Sequence, residues 1–141
     1  MLWMRFFKPH PFYKIKQGVK EMYITKKDYF DARGIDLEIE LKGSVTDNPS
    51  KQVEIFISQI EEWLINYLAS KYDFNEGMIL ATALQESAFK KAVIYQIDYI
   101  RRNGNLSVDS ENTKQVLSPD AYNVLFFAGF CNIPRGYTYG Y

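Results

Sequence analysis

Residues 75–104, NEGMILATALQESAFKKAVIYQIDYIRRNG, run thirty positions without a proline and carry more apolar surface than any other stretch of the chain. Ala81, Leu84, Ala88, Ala92, Tyr95 and Tyr99 recur every three or four residues, the spacing that lines up one face of an α-helix. Ile79, Ala83, Val93, Ile97 and Ile100 mark a second face. A helix that is apolar on two sides needs cover on two sides, so the stretch predicts a central rod, roughly 40 Å long, against which other helices pack. Asn75 suits its N-cap and Glu76 the positive end of its dipole, while Arg101, Arg102 and Gly104 suit its other end. Nothing in its composition makes a catalytic set.

Immediately upstream, Asn48-Pro49 opens a second long helix by pairing an N-cap with a proline at the first helical position. Val53, Phe56, Ile57, Ile60, Trp63, Leu64, Tyr67 and Leu68 form its stripe, and Glu54, Ser58, Glu61, Glu62 and Asn66 lie mostly off it. The stripe reads as core rather than as a cofactor box, with Trp63 and Tyr67 where the helix meets the rod. Tyr72-Asp73-Phe74 reads as a short turn, which predicts two antiparallel neighbours. Further upstream, Thr25 with Asp28 resembles a capping box and opens a short helix that Gly34 stops at residue 33. Residues 35–41 alternate apolar and acidic like a strand but have no evident partner, so they read as an extended connector, followed by a turn-rich loop.

Downstream of the rod, residues 105–115 are polar apart from Leu106 and Val108 and predict an exposed loop. Ser118-Pro119 repeats the cap-plus-proline device and opens a last helix through Tyr122, Leu125 and Phe126 to a stop at Gly129. The tail holds Pro134, Gly136 and Gly140 with Tyr137, Tyr139 and Tyr141; such spacing suits an extended segment laid across a partner, or a frayed terminus. At the other end, Pro9 and Pro11 forbid a continuous helix, and seven Lys or Arg precede residue 28 against one acidic residue, interleaved with Trp3, Phe6, Phe7, Phe12 and Tyr13. Such an arm could lie on a neighbouring subunit, form a disordered leader, or contact nucleic acid or lipid. The expected fold is all-α: a small bundle of two long antiparallel helices flanked by short ones (residues 23–130), with an extended N-terminal arm (1–22), an exposed loop and an extended C-terminal tail (131–141).

Composition narrows the function. A chain of 141 residues suits one domain, and 47% apolar with 24% charged residues excludes global disorder. Zero formal net charge argues against a protein built to coat nucleic acid. One cysteine, Cys131, and one histidine, His10, leave no internal disulfide and no basis for a Cys- or His-rich metal site. His10 and Cys131 have no credible catalytic partner, Glu61 and Glu62 point about 100° apart on a helix, and no phosphate-loop, dinucleotide, zinc-protease or calcium motif is present. An enzyme is not expected, and no cofactor. Eleven tyrosines suit protein–protein surfaces, or reflect an AT-rich genome. Residues 28–62 carry nine acidic against three basic residues, opposite in sign to the arm; such poles favour head-to-tail contacts between copies, or are unrelated solvated faces. The apolar start, MLWMRFF, is short and interrupted by Arg5, unlike a secretory signal, and no stretch approaches a membrane span, so synthesis in the cytosol is expected.

In order and spacing, residues 23–130 resemble the head-to-tail connector (adaptor) proteins of tailed bacteriophages. Residues 23–29, YITKKDY, with Gly34-Ile35-Asp36-Leu37 resemble that family's opening short helix. Asn48-Pro49-Ser50 leading through Phe56-Ile57 to residues 60–64, IEEWL, resembles its first long helix. Residues 90–99, KKAVIYQIDY, with Asn103-Gly104, then 117–122, LSPDAY, and 125–129 resemble its second long helix, variable loop and final short helix. The basic arm departs from the family pattern, whose first helix begins near Met1. The resemblance implies a structural virion protein in the neck, assembled in the host cytoplasm, with no membrane partner. It implies a ring, usually of twelve copies, that extends the portal's DNA channel and receives a tail or stopper protein, with DNA only as passing cargo. With their composition, it assigns Tyr137, Tyr139 and Tyr141 to the portal or a neighbouring copy, and Leu106 and Val108 to another ring protein or the channel. Trp3, Phe6 and Phe7 become candidate partner contacts of the arm. The alternative is a helical nucleic-acid-binding regulatory protein using Arg101, Arg102 and the arm. It would need a recognition helix with several exposed Lys or Arg, and the last helix has none.

Overall fold

The computed structural model describes residues 22–41, 47–103 and 116–131, and the backbone of 15–16 and 19–20. Trp3, Phe6, Phe7, Leu106, Val108, Tyr137, Tyr139 and Tyr141 lie outside the described residues, as does Gly104. Most of what is described is helical, so the fold is all-α. A two-residue antiparallel ladder precedes the helices: β1 (Ile15–Lys16) pairs with β2 (Val19–Lys20), Ile15 opposite Lys20.

Local caps set the helix ends. In α1 (Lys26–Arg33) the Thr25 hydroxyl accepts from the Asp28 N–H and the Asp28 carboxylate accepts from the Thr25 N–H, and Gly34 closes the helix at φ 73°. A side chain there would occupy the left-handed region that glycine tolerates best. Residues 35–41 are not an extended connector: Leu37–Glu40 form a helical turn, α2, whose N-terminus Asp36 caps by accepting from the Glu38 N–H. Without a partner strand, a backbone segment meets its hydrogen-bonding needs locally, and Asp at the cap makes that possible. Asn48 caps α3 (Pro49–Lys71) by accepting from the N–H groups of Ser50 and Lys51.

The expected thirty-residue rod is broken. A 3₁₀ segment, Glu76–Leu80, is followed by a fresh helix start at Thr82, whose hydroxyl accepts from the Gln85 N–H to cap α4 (Ala83–Arg102). The rod is therefore about 30 Å long, not 40 Å. The linkage from α3 to α4 is residues 72–82 rather than a three-residue turn. The two expected apolar faces also merge into one stripe: Ala88, Phe89, Ala92, Val93, Gln96, Ile97 and Ile100 are buried, while Ala81, Ala83 and Leu84 are exposed and Tyr95 and Tyr99 half-buried. This stripe meets Val53, Phe56, Ile57, Ile60, Leu64 and Leu68 of α3 in a single core that also takes Tyr23, Ile24, Tyr29 and Leu37. Burying a side chain of this kind contributes about 1.5–3 kcal/mol.

Two polar latches hold the small helices to α4. The Asp98 carboxylate accepts from the Tyr29 hydroxyl at 2.5 Å and from Arg33 Nε at 2.8 Å. Arg101 Nε donates to Glu40 Oε1 at 2.9 Å. A third fastening lies on α3, where Glu61, expected off the core stripe, is buried and accepts from the N–H groups of Tyr23 and Ile24. Glu62, next to it, is exposed.

Candidate functional site: an aromatic face on the last helix

The last helix, α5 (Pro119–Phe127), is nine residues long, too short to be stable alone, and packs along α4. Two glutamines of α4 fix it there. Gln96, fully buried, donates from Nε2 to the Val116 carbonyl at 2.9 Å and accepts at Oε1 from the Ser118 N–H at 2.8 Å. Gln85 donates from Nε2 to the Ala128 carbonyl at 3.3 Å. Eleven positions separate them, about three helical turns, so both lie on one face of α4 and reach opposite ends of α5. Ser118 caps the start by accepting from the Ala121 N–H. At the end, the Gly129 N–H donates to the Phe126 carbonyl and the Phe130 N–H to the Leu125 carbonyl, with Gly129 at φ 93°. That pair of bonds is a Schellman stop, and it turns Phe130 back into the core against Phe74 at 5.6 Å between ring centroids.

With the helix held so, its rotation is set: Ala121 and Leu125 face the core at 0% exposure. Tyr122, Phe126 and Phe127 then face outward, 37%, 41% and 81% exposed. Tyr122 and Phe126 stack at 5.9 Å and Phe126 meets Phe127 edge-on at 5.6 Å. A second aromatic pair stands on α3, where Trp63 and Tyr67 are 5.3 Å apart and Lys71 lies over the Tyr67 ring. Burial first, and then the nearness of Cys131 and Tyr122, raises the phenols of Tyr67 and Tyr72 above their ordinary value.

What this face offers chemically is apolar area. Burial pushes the Cys131 thiol up to about 11, partly offset by a hydrogen bond from Tyr72, so it is a protonated, unreactive thiol at neutral pH. Burial, with the nearby Cys131 and Tyr122, pushes the Tyr72 phenol up to about 12. Among the described residues no three His, Cys, Asp or Glu side chains gather to hold a metal ion. Among them, no helix is long and apolar enough to cross a membrane. An aromatic surface with phenol rims supports dry contact plus a few directed hydrogen bonds, the pattern of protein–protein contacts.

The residues that sequence reasoning singled out for partner contact all lie outside the described part of the chain. Phe127 was not among them. Its signal is present: Val124, Leu125, Phe126 and Phe127 are four consecutive apolar residues in a short helix, more than one buried face can absorb. Comparisons with protein-family models, with curated proteins and with solved structures find no match to this chain.

Proposed function

We propose that the chain is a structural assembly subunit of a tailed-phage neck, with no catalytic role, copies of which form a ring of about twelve beneath the portal, as the resemblance of residues 23–130 implies. One observation of the fold carries the assembly reading: the aromatic face of Tyr122, Phe126 and Phe127, held outward by a helix clamped at both ends. A helix fixed this firmly presents a preformed surface, which lowers the ordering cost of docking. In this reading α3 and α4 run antiparallel as the wedge that repeats around the ring. The loop with Leu106 and Val108 meets the channel or a second ring protein, and the tail with Tyr137, Tyr139 and Tyr141 meets the portal or a neighbour. DNA passes through without being read.

The nucleic-acid alternative has less support. The last helix carries no Lys or Arg, and Arg33 and Arg101 are engaged by Asp98 and Glu40. The test is the mass of the purified protein by light scattering on a sizing column, alone and with its candidate portal. A multi-copy complex, formed alone or only with the portal, supports the subunit reading. A monomer in both, together with salt-sensitive binding to duplex DNA, replaces it with the regulator.

A further inference from the structure

The two long helices carry spare charge of opposite sign. On α4, Leu84, Lys91, Tyr95 and Arg102 fall within about 40° of one line along the helix, on the side away from its buried stripe. Lys91 and Arg102 are exposed there, and Leu84 is 69% exposed. On α3, Glu54 and Glu62 are exposed about two turns apart, and Glu62 lies opposite that helix's buried stripe. Among the described residues Lys91, Arg102 and Glu62 have no ion-pair partner, and Glu54 has only Lys51, at 3.9 Å. We propose that Lys91 and Arg102 of one copy meet Glu62 and Glu54 of the next, as the contact between neighbours in the ring. This rests on the ring reading and names its copy-to-copy surface.

The first argument is direction. The buried stripes of α3 and α4 enter one core, so their outward sides look away from each other and their charges do not meet within a subunit. Copies set side by side bring the outer side of α4 against the outer side of the next α3, a head-to-tail contact that repeats and closes into a ring. A two-fold contact would instead set α4 on α4, cation against cation. The second argument is height. The Tyr23 N–H bonds Glu61 of α3 while its ring meets Phe89 of α4 at 5.1 Å between centroids. Glu62 and Lys91, one and two positions further on, therefore stand at about one level. The third is spacing in the antiparallel wedge. Lys91 to Arg102 spans about 16.5 Å and Glu62 back to Glu54 about 12 Å, a difference that an arginine side chain bridges. Arg102 already lies over the Tyr99 ring, 5.8 Å from its centroid, which limits its freedom. Leu84 and half-buried Tyr95 add apolar area to the strip, so the charges set partner and register.

The test reverses one charge at a time in the full-length chain, Lys91→Glu or Glu62→Lys. Light scattering follows each variant under the condition, alone or with the candidate portal, in which the unaltered chain forms its multi-copy complex. Each variant by itself is expected to need at least fivefold more protein for half-assembly, because a surface pair becomes a surface repulsion at every contact. Mixed one to one, the two variants are expected to recover the unaltered midpoint, since in alternation each contact again holds one cation and one carboxylate. A chain carrying both reversals recovers it for the same reason. Both sites are exposed, so each variant keeps Tm within about 2 °C, which separates lost assembly from lost folding. Full assembly by either single variant, or a mixture no better than its components, overturns the proposal and leaves the ring reading standing. An unaltered chain that stays monomeric both alone and with the portal overturns the ring reading, and this contact with it.

Discussion

The carboxylate of Glu61, 4% exposed in the middle of α3, takes the backbone N–H of Tyr23 on both its oxygens, at 3.0 and 2.8 Å. The N–H of Ile24 joins it at 2.9 Å. One buried side chain thus satisfies the two backbone donors by which the chain enters the domain.

Replacing it tests that role. Glu61→Gln keeps the shape but turns an amide donor toward backbone donors. The expected loss is about 2–3 kcal/mol, since hydrogen bonds to charged groups contribute that much and an orphaned buried donor costs more still. For a chain of this size that lowers Tm by roughly 5–10 °C. Glu62→Gln, one residue on and exposed, changes stability by less than about 0.5 kcal/mol. Urea unfolding of the two variants side by side decides it; equal midpoints would refute the assignment.

Gln96 gives the second prediction. Gln96→Leu leaves the Val116 carbonyl and the Ser118 N–H without their partner, at an expected cost of about 2–4 kcal/mol. Gln85→Ala breaks a longer bond at a half-buried site and costs under about 1 kcal/mol. Hydrogen exchange localises the effect: in Gln96→Leu, residues 121–127 lose protection ahead of α3. Uniform loss across both helices would mean that the glutamine supports the whole core rather than the seating of α5.

These two residues also show what the sequence could and could not convey. The caps at Thr25, Asn48 and Ser118 and the stops at Gly34 and Gly129 are legible because each depends on three or four consecutive residues. The break at Thr82 is legible in the same way, as Thr-x-x-Gln ahead of the helix, but the apolar period running through it hides the cap. The burial of Glu61 and Gln96 is not legible. A polar residue normally faces water, and the partners that make these burials affordable stand 38 and 20 or more positions away. The exposed face of α5 follows from that distant clamp, so its orientation is hidden too.

The third prediction concerns the latch at Asp98. Tyr29→Phe removes the hydroxyl that Asp98 accepts, at a fully buried ring, for about 1–2 kcal/mol. Asp98→Asn weakens that bond and the ion pair with Arg33 together. Because both changes act on one carboxylate, their effects fall short of additive by about 1 kcal/mol. Strict additivity in a double-mutant cycle would show that the two groups act independently.

Alkaline pH gives the fourth. Burial, then hydrogen bonds to Glu76 and Asp98, hold the phenols of Tyr23 and Tyr29 well above their ordinary 10.0, and Cys131 is raised from 9.0 to about 11. Above those ordinary values the unfolded chain loses protons that the folded chain keeps. The unfolded state then binds fewer protons, so stability falls as pH rises. The contribution is complete below about pH 9, begins to fade with Cys131, and drops more steeply above pH 10. Urea midpoints from pH 7 to 11 should trace this curve, and Tyr29→Phe should flatten its upper part. A flat profile to pH 11 would contradict the burial of these groups.

The last prediction separates stability from assembly at the exposed end of α5. Phe127 is 81% exposed, so Phe127→Ser removes little buried area and should leave Tm within about 2 °C. Phe30→Ser on α1 is the control, because Phe30 is also exposed, at 51%. The two lie toward opposite ends of α4: α1 is latched at Asp98, near the C-terminal end, and the last turn of α5 is held by Gln85, near the N-terminal end. If the aromatic face is the docking surface, Phe127→Ser weakens the complex with the portal at least tenfold while Phe30→Ser leaves it unchanged. Light scattering at several protein concentrations measures both. Equal weakening by the two variants would make general surface hydrophobicity the cause, and no weakening by Phe127→Ser would move the contact away from α5.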